Sequence, residues 1–108
     1  VNIKQETMMA GLSCGEPSLL GWEILKSGAD DFITINDSSI PGLMRLLAEN
    51  NLKIEAGESS VAGLAGLIES MEDQNIAKAM GLNKESIVLL FGTEGATDPD
   101  IYRSIISE

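Results

Sequence analysis

Histidine is missing altogether from this 108-residue chain. That removes the usual general base of serine and cysteine nucleophile systems and the commonest transition-metal ligand, so any chemistry falls to lysines, carboxylates, hydroxyls or a borrowed cofactor. There is a single cysteine, Cys14, which cannot close an internal disulfide. This points to a reducing, cytoplasmic setting, with Cys14 read as a small buried hydrophobe. Basic residues are scarce, 7 against 17 acidic ones, for a net charge of -10. Such a surface repels phosphate backbones and anionic lipid and argues against a nucleic-acid partner. No apolar run approaches the roughly 20 residues a bilayer-crossing helix needs, and the opening VNIKQETMMAG lacks a basic stretch followed by a hydrophobic one. Neither a membrane nor export is expected.

What is present is ordinary globular material, 44% hydrophobic and 22% charged, and the length suits one small folded unit with little margin. The chain opens at Val1 rather than Met, and Val1 to Thr7 reads as a strand or loop already under way, so a piece of a longer polypeptide is expected. Pro17 to Ala29 carries apolar residues at helical spacing, including Trp22, with Glu16 and Pro17 where helices start. A second helix is predicted over Ser38 to Glu49, capped by Asp37 and closed by Asn50 and Asn51. A third follows GESS, with Val61, Leu64, Leu67, Ile68 and Met71 three and four residues apart. Its first half, with Ala62, Gly63, Ala65 and Gly66, is nearly bare of side chains and suited to close packing. Asn75 to Met80 reads as a further helical turn and Pro99 to Ser107 as the last helix. Strands are predicted over Asp31 to Ile35 (DFITI), weakly over Lys53 to Ala56, and most clearly over Ser86 to Phe91 (SIVLLF).

Helices alternating with strands predict an α/β fold, a short, mostly parallel sheet with flanking helices over residues 1–108. In such sheets ligands bind at the carboxyl edge. Three loops are expected there, Asn36 to Ser39, Gly57 to Ser60 and Gly92 to Asp98. The last, GTEGATD, has glycines for tight turns and a hydroxyl in Thr93, and reads locally either as a structural turn or as a ligand loop. At Glu58, Ser59 and Ser60 two readings stay open. One serine caps the helix and Glu58 gains from its positive end, or a carboxylate and two hydroxyls face a small polar ligand. Asp30 and Asp31 precede a strand, the wrong end for a carboxylate-lined metal pocket, and no metal is expected.

Taken in order, TMMAGLSCGEPSLLGWEIL (Thr7 to Leu25), AGESSVAGLAGL (Ala56 to Leu67) and GTEGATDPDIYR (Gly92 to Arg103) resemble the pyridoxal-phosphate-dependent diaminopropionate ammonia-lyases. That family shows MAGL-CGEP---GWEIL, SGESG-VGLG and STEGDTD. It belongs to fold type II, with the serine and threonine dehydratases and the tryptophan synthase β subunit. The resemblance covers essentially the whole chain and implies the C-terminal part of the large, cofactor-binding domain. It implies that Gly11 lies against one face of the pyridine ring, that Glu58 and Ser59 sit near the ring, and that Gly92 and Thr93 fall where a small hydroxyl or thiol hydrogen-bonds the ring nitrogen and leaves it neutral. The family's serine is Gly92 here and the following aspartate is Ala96, so the nearest hydroxyl is Thr93, one residue along.

The same resemblance places the cofactor-binding lysine, the glycine-rich phosphate cradle and the acid–base residues upstream. None of Lys4, Lys26, Lys53, Lys78 or Lys84 lies in a matching motif. The segment alone is thus expected to hold no catalytic residue and to be inactive. The whole enzyme, a homodimer by family, is expected to release ammonia from 2,3-diaminopropionate and yield pyruvate. A serine or threonine dehydratase, or a non-catalytic α/β binding or dimerisation module, is the competing reading.

Overall fold

The computed structural model describes residues 2–49, 51 and 53–108. Five α-helices run through it: α1 Leu19–Gly28, α2 Ile40–Glu49, α3 Ala62–Glu72, α4 Gln74–Ala79 and α5 Pro99–Ser107. Short 3-10 turns at Ala10–Leu12, Asp37–Ser39 and Glu58–Val61 lie between or lead into them. Most helix ends have a visible chemical cause. Ser18 caps α1 by accepting from the Gly21 amide at 3.1 Å, and so displaces Glu16 and Pro17 from the start. Asp73 caps α4 through the Asn75 and Ile76 amides, and Asp98 caps α5 through those of Asp100 and Ile101, with Pro99 in the first turn where its missing N–H costs nothing. Gly81, at φ 70°, ends α4 in the left-handed conformation. Its amide and that of Leu82 satisfy the Lys78 and Ala77 carbonyls, the paired bonds of a Schellman stop. Asn50, expected to help close α2, is outside the described residues.

The expected sheet is not there. Among the described residues no strand forms, and residues 29–36, 53–57 and 86–96 carry no regular structure. The α/β reading, a short, mostly parallel sheet of the fold type II kind, is therefore corrected to a helical fold with irregular connections. The physical reason lies in what a strand requires. β-propensity measures how well a side chain fits a pleated, flanked surface, and it is realised only when a neighbour supplies the ladder. Among the described residues no hydrogen bond engages the backbone of residues 30–35 or 87–93. Lys53, at φ 44°, starts the strand predicted over Lys53 to Ala56 in a conformation that a strand does not use.

The core is small and lies where α2, α3, α5 and the segment around Met9 meet. Ile40, Met44 and Val61 are fully enclosed, and Met9, Leu43, Ala56, Ala65 and Ile105 complete it. Arg45 ties α2 to the end of α5 by donating to the Ile105 carbonyl at 2.8 Å. The bare face of α3 packs closely, as its composition allows: a Cβ at position 66 would meet Ile33 Cδ1 at 2.9 Å, and one at position 63 would meet Leu90 Cδ2 at 3.5 Å. Between the Ile33–Ile35 and Val88–Leu90 stretches, with these glycines among its lining, is an apolar cavity of about 390 Å³.

Much apolar surface remains uncovered. The accessible area is 8327 Å², against about 5,800 Å² for a compact monomer of this mass. The radius of gyration is 15.2 Å, against about 13 Å for a compact chain of this length. Helix α1 buries none of its residues. Trp22, read from its spacing as core or interface, is 47% exposed and has the Phe32 ring 6.3 Å away. Cys14 is exposed as well, contrary to its reading as a buried hydrophobe.

Asp37 does not cap α2 through its side chain. Its carboxylate accepts from the Thr7 hydroxyl at 2.6 Å and from the Met8 amide at 2.8 Å, pinning the N-terminal segment to the start of the α2 region. These bonds, the Thr7 hydroxyl first and the Met8 amide second, hold its carboxyl below the usual aspartate value against a smaller opposing effect of desolvation. A carboxyl depressed on folding contributes stability that is present above its unfolded pKa of about 3.9 and is lost as pH falls through the lower folded value. Docking of residues 7–9 should therefore hold at neutral pH and loosen below about pH 4. Asp37→Asn should make hydrogen exchange at the Met8 amide several-fold faster at neutral pH and remove that pH dependence. An exchange profile unchanged from the parent would refute this role.

Candidate functional site

Two turns interlock beside the N-terminus of α3. The first is the 3-10 turn Glu58–Val61, preceded by buried Gly57; the second is Gly92–Gly95. Gly57 donates its amide to the Glu94 carbonyl at 2.9 Å. Ser60 Oγ donates to that same carbonyl and accepts from the Glu94 amide, both at 2.5 Å. The Glu94 carboxylate accepts from the Ser59 amide at 2.8 Å, placing a negative charge against the exposed N–H groups that open the α3 region, where the helix dipole favours it. So neither serine caps α3 through its own side chain; the acid comes from the other turn.

The approach is close enough to dictate residue type. A Cβ at position 57 would lie 2.3 Å from the Gly95 carbonyl oxygen and 2.7 Å from Glu94 Cγ, inside any tolerable contact. Gly11, in the Ala10–Leu12 turn, comes against the same place: a Cβ there would meet Ser59 Oγ at 3.0 Å. Position 92 faces Ser60, with a Cβ there 3.4 Å from Ser60 Cβ. Gly92, Ser60 and Glu94 also border a cavity of about 330 Å³. The third expected loop joins indirectly, since Asp37 holds Thr7 and Met8, and this segment leads into the Gly11 turn.

Of the residues singled out in the sequence, the structure thus brings Gly11 against Ser59 and Gly92 against Ser60. Glu58 is half-buried at the head of its turn and Thr93 is exposed in the other; among the described residues neither side chain has a hydrogen bond. The Ser59 hydroxyl is the exception to satisfied packing. Its oxygen is buried and has no partner, although a hydroxyl left so costs about 1–3 kcal/mol. Of three residues that hold the site together, Gly57 and Glu94 were expected only as parts of their loops, and Ser60 only as a helix cap or a ligand-facing hydroxyl. Glu94 had one local signal, an acid flanked by small residues in a strand-like segment's exit turn. Nothing local marked its partner, 34 residues away.

Comparison with known proteins supplies the relatives. The diaminopropionate ammonia-lyase of Escherichia coli K12 is 41% identical over 109 residues, 94% of this chain and 27% of its own length. That of Salmonella typhimurium LT2 is 36% identical over 107 residues, 93% of this chain and 26% of its own length. The chain is a homologue of the diaminopropionate ammonia-lyases. It spans about a quarter of the length of these relatives, matching their C-terminal segment. No family model matches the chain, and no solved structure does. The ammonia-lyase match takes in all but a few residues of the chain, so the interlocked turns and the Gly11 turn belong to a stretch shared with these lyases. Among the described residues no helix is long and apolar enough to cross a membrane.

Proposed function

We propose that this chain is the cofactor-facing segment of a pyridoxal-phosphate-dependent lyase that converts 2,3-diaminopropionate to pyruvate and ammonia. The observation that carries the reading is the buried, unpartnered Ser59 hydroxyl, whose oxygen a Cβ on Gly11 would meet at 3.0 Å, within a chain homologous to ammonia-lyases. A buried hydroxyl with both donor and acceptor capacity free is an invitation to a polar group from outside the segment.

The residues at the site fit one end of the cofactor and not the other. Gly11 offers backbone against a flat ring, Ser59 and Thr93 offer hydroxyls, and Glu58 offers a carboxylate. No lysine or arginine occurs in the Gly57–Ser60 or Gly92–Gly95 turns, and Glu94 adds a further acid. Such a set would hold the ring and its nitrogen side while repelling phosphate. The phosphate cradle and the lysine that holds the cofactor covalently are assigned to the rest of the enzyme, as the resemblance to the family implies. When bound, the cofactor supplies an electron sink for the carbon that loses its proton. What this segment would contribute is orientation: Thr93 would offer a neutral hydroxyl to the ring nitrogen, and the paired turns would fix the surface that holds the ring. The lone cysteine supports a cytoplasmic setting, and the resemblance to the family supports a homodimer.

The test is an assay of the longest natural polypeptide carrying this segment, loaded with pyridoxal phosphate. Ammonia release from 2,3-diaminopropionate should exceed release from serine and threonine by at least about tenfold in kcat/KM, a difference of roughly 1.4 kcal/mol in transition-state stabilisation. Greater activity on serine or threonine would overturn the substrate assignment. A polypeptide that neither binds the cofactor nor releases ammonia would favour a non-catalytic module.

A further inference from the structure

One residue of the site is used by neither the cofactor reading nor the helix. Ser60 follows Glu58 and Ser59, yet it turns to the opposite loop, and its single oxygen engages both the amide and the carbonyl of Glu94 at 2.5 Å. A hydroxyl is suited to this because one atom both donates and accepts. The residue it faces, Gly92, has no side chain with which to fix its own turn. The other ties on that turn are the Gly57 amide to the Glu94 carbonyl, the Glu94 carboxylate to the Ser59 amide, and a 3.3 Å contact from the Ala96 amide to Glu55 Oε1. The first duplicates a bond that Ser60 already makes, and the second leaves the Glu94 amide unheld.

We propose that Ser60 is the positioning residue that sets Gly92, Thr93 and Glu94 against the Glu58–Ser59 turn, and that cofactor binding depends on its hydroxyl although that hydroxyl does not touch the cofactor. The proposal rests on the reading given under Proposed function. Its reasoning is geometric. Thr93 sits between a glycine that imposes no conformation and a glutamate clamped at both main-chain atoms, so the direction of its hydroxyl is inherited from Glu94. Removing the Ser60 hydroxyl frees the Glu94 amide and leaves the turn on the Gly57 bond and the carboxylate.

The experiment compares Ser60→Ala and Ser60→Thr with the parent in the longest natural polypeptide carrying the segment. Four quantities are measured: the dissociation constant for pyridoxal phosphate added to apoenzyme, the absorption band of the bound cofactor, exchange at the Glu94 amide, and melting temperature. Ser60→Ala should weaken cofactor binding at least about tenfold, as expected for loss of a paired hydrogen bond in a partly buried site, shift the absorption band, and expose the Glu94 amide. Ser60→Thr, which keeps the hydroxyl, should restore all three. If alanine prevents folding, Ser60→Cys takes its place, keeping the size but only weak hydrogen bonding. A Ser60→Ala protein with parental affinity and spectrum overturns the proposal, as does a threonine variant that fails as badly as alanine. A parent protein that binds no pyridoxal phosphate overturns the cofactor reading instead, and this role with it.

Discussion

Gly57→Ala should be the most damaging single methyl addition in the described structure. The added Cβ would stand 2.3 Å from the Gly95 carbonyl oxygen and 2.7 Å from Glu94 Cγ. Unlike the far end of a long side chain, a main-chain carbonyl cannot rotate away. The two turns must separate, which breaks the Gly57 amide bond and strains both Ser60 bonds. Overpacking of this kind costs typically 1–3 kcal/mol and sometimes more, so the melting temperature should fall by several degrees and cofactor affinity should fall with it. Gly42→Ala is the control. It lies in α2 with nothing within 4 Å of its would-be Cβ, where alanine improves helix propensity by up to about 1 kcal/mol. Thermal melts of both variants in the full polypeptide decide the matter; a Gly57→Ala protein as stable as Gly42→Ala would mean that the turns are not interlocked.

The second large effect concerns the segment by itself. Expressed as 108 residues, it should self-associate, bind a hydrophobic dye and release no ammonia from 2,3-diaminopropionate. Ile87 is fully exposed, and Leu19, Leu20, Leu89 and Phe91 are each about three-quarters exposed. Soluble monomers rarely leave so many large apolar side chains uncovered, and the total accessible area exceeds that of a compact monomer by roughly 2,500 Å². Replacing Ile87, Leu89 and Phe91 with threonine should raise the monomer fraction markedly in sedimentation velocity. A parent segment that is monodisperse and dye-negative would show that the open surface closes without help.

What the sequence made legible divides by the range of the interaction. The helices are written in local terms: Asp98 followed by Pro99, the apolar spacing of α3, and the amphipathic run of α2 each determine their element within one or two turns, and the observed spans lie close to the expected ones. The sheet failed because its deciding interaction is not local. SIVLLF keeps a two-residue rhythm in its exposure, with Val88 and Leu90 turned toward α3 and Ile87, Leu89 and Phe91 turned away. That rhythm supplies no hydrogen-bonding neighbour, and none is present among the described residues. At the site the division is the same. Gly11, Glu58, Ser59, Gly92 and Thr93 were picked out by motif, whereas Glu94 and Ser60 matter through bonds to each other's turns, and the Gly57 constraint comes from a carbonyl 38 positions along. Asp37 looked like a cap because caps are local; its carboxylate was taken by Thr7, 30 residues earlier.

The clamp on Glu94 also sets an asymmetry between the two positions it joins. Both Ser60 bonds end on the amide and carbonyl of residue 94, atoms that every amino acid except proline carries in full. Substitution at position 94 therefore leaves this contact intact and forfeits only the carboxylate bond to the Ser59 amide. Position 60 differs, because there the contact belongs to the side chain and is lost with the hydroxyl.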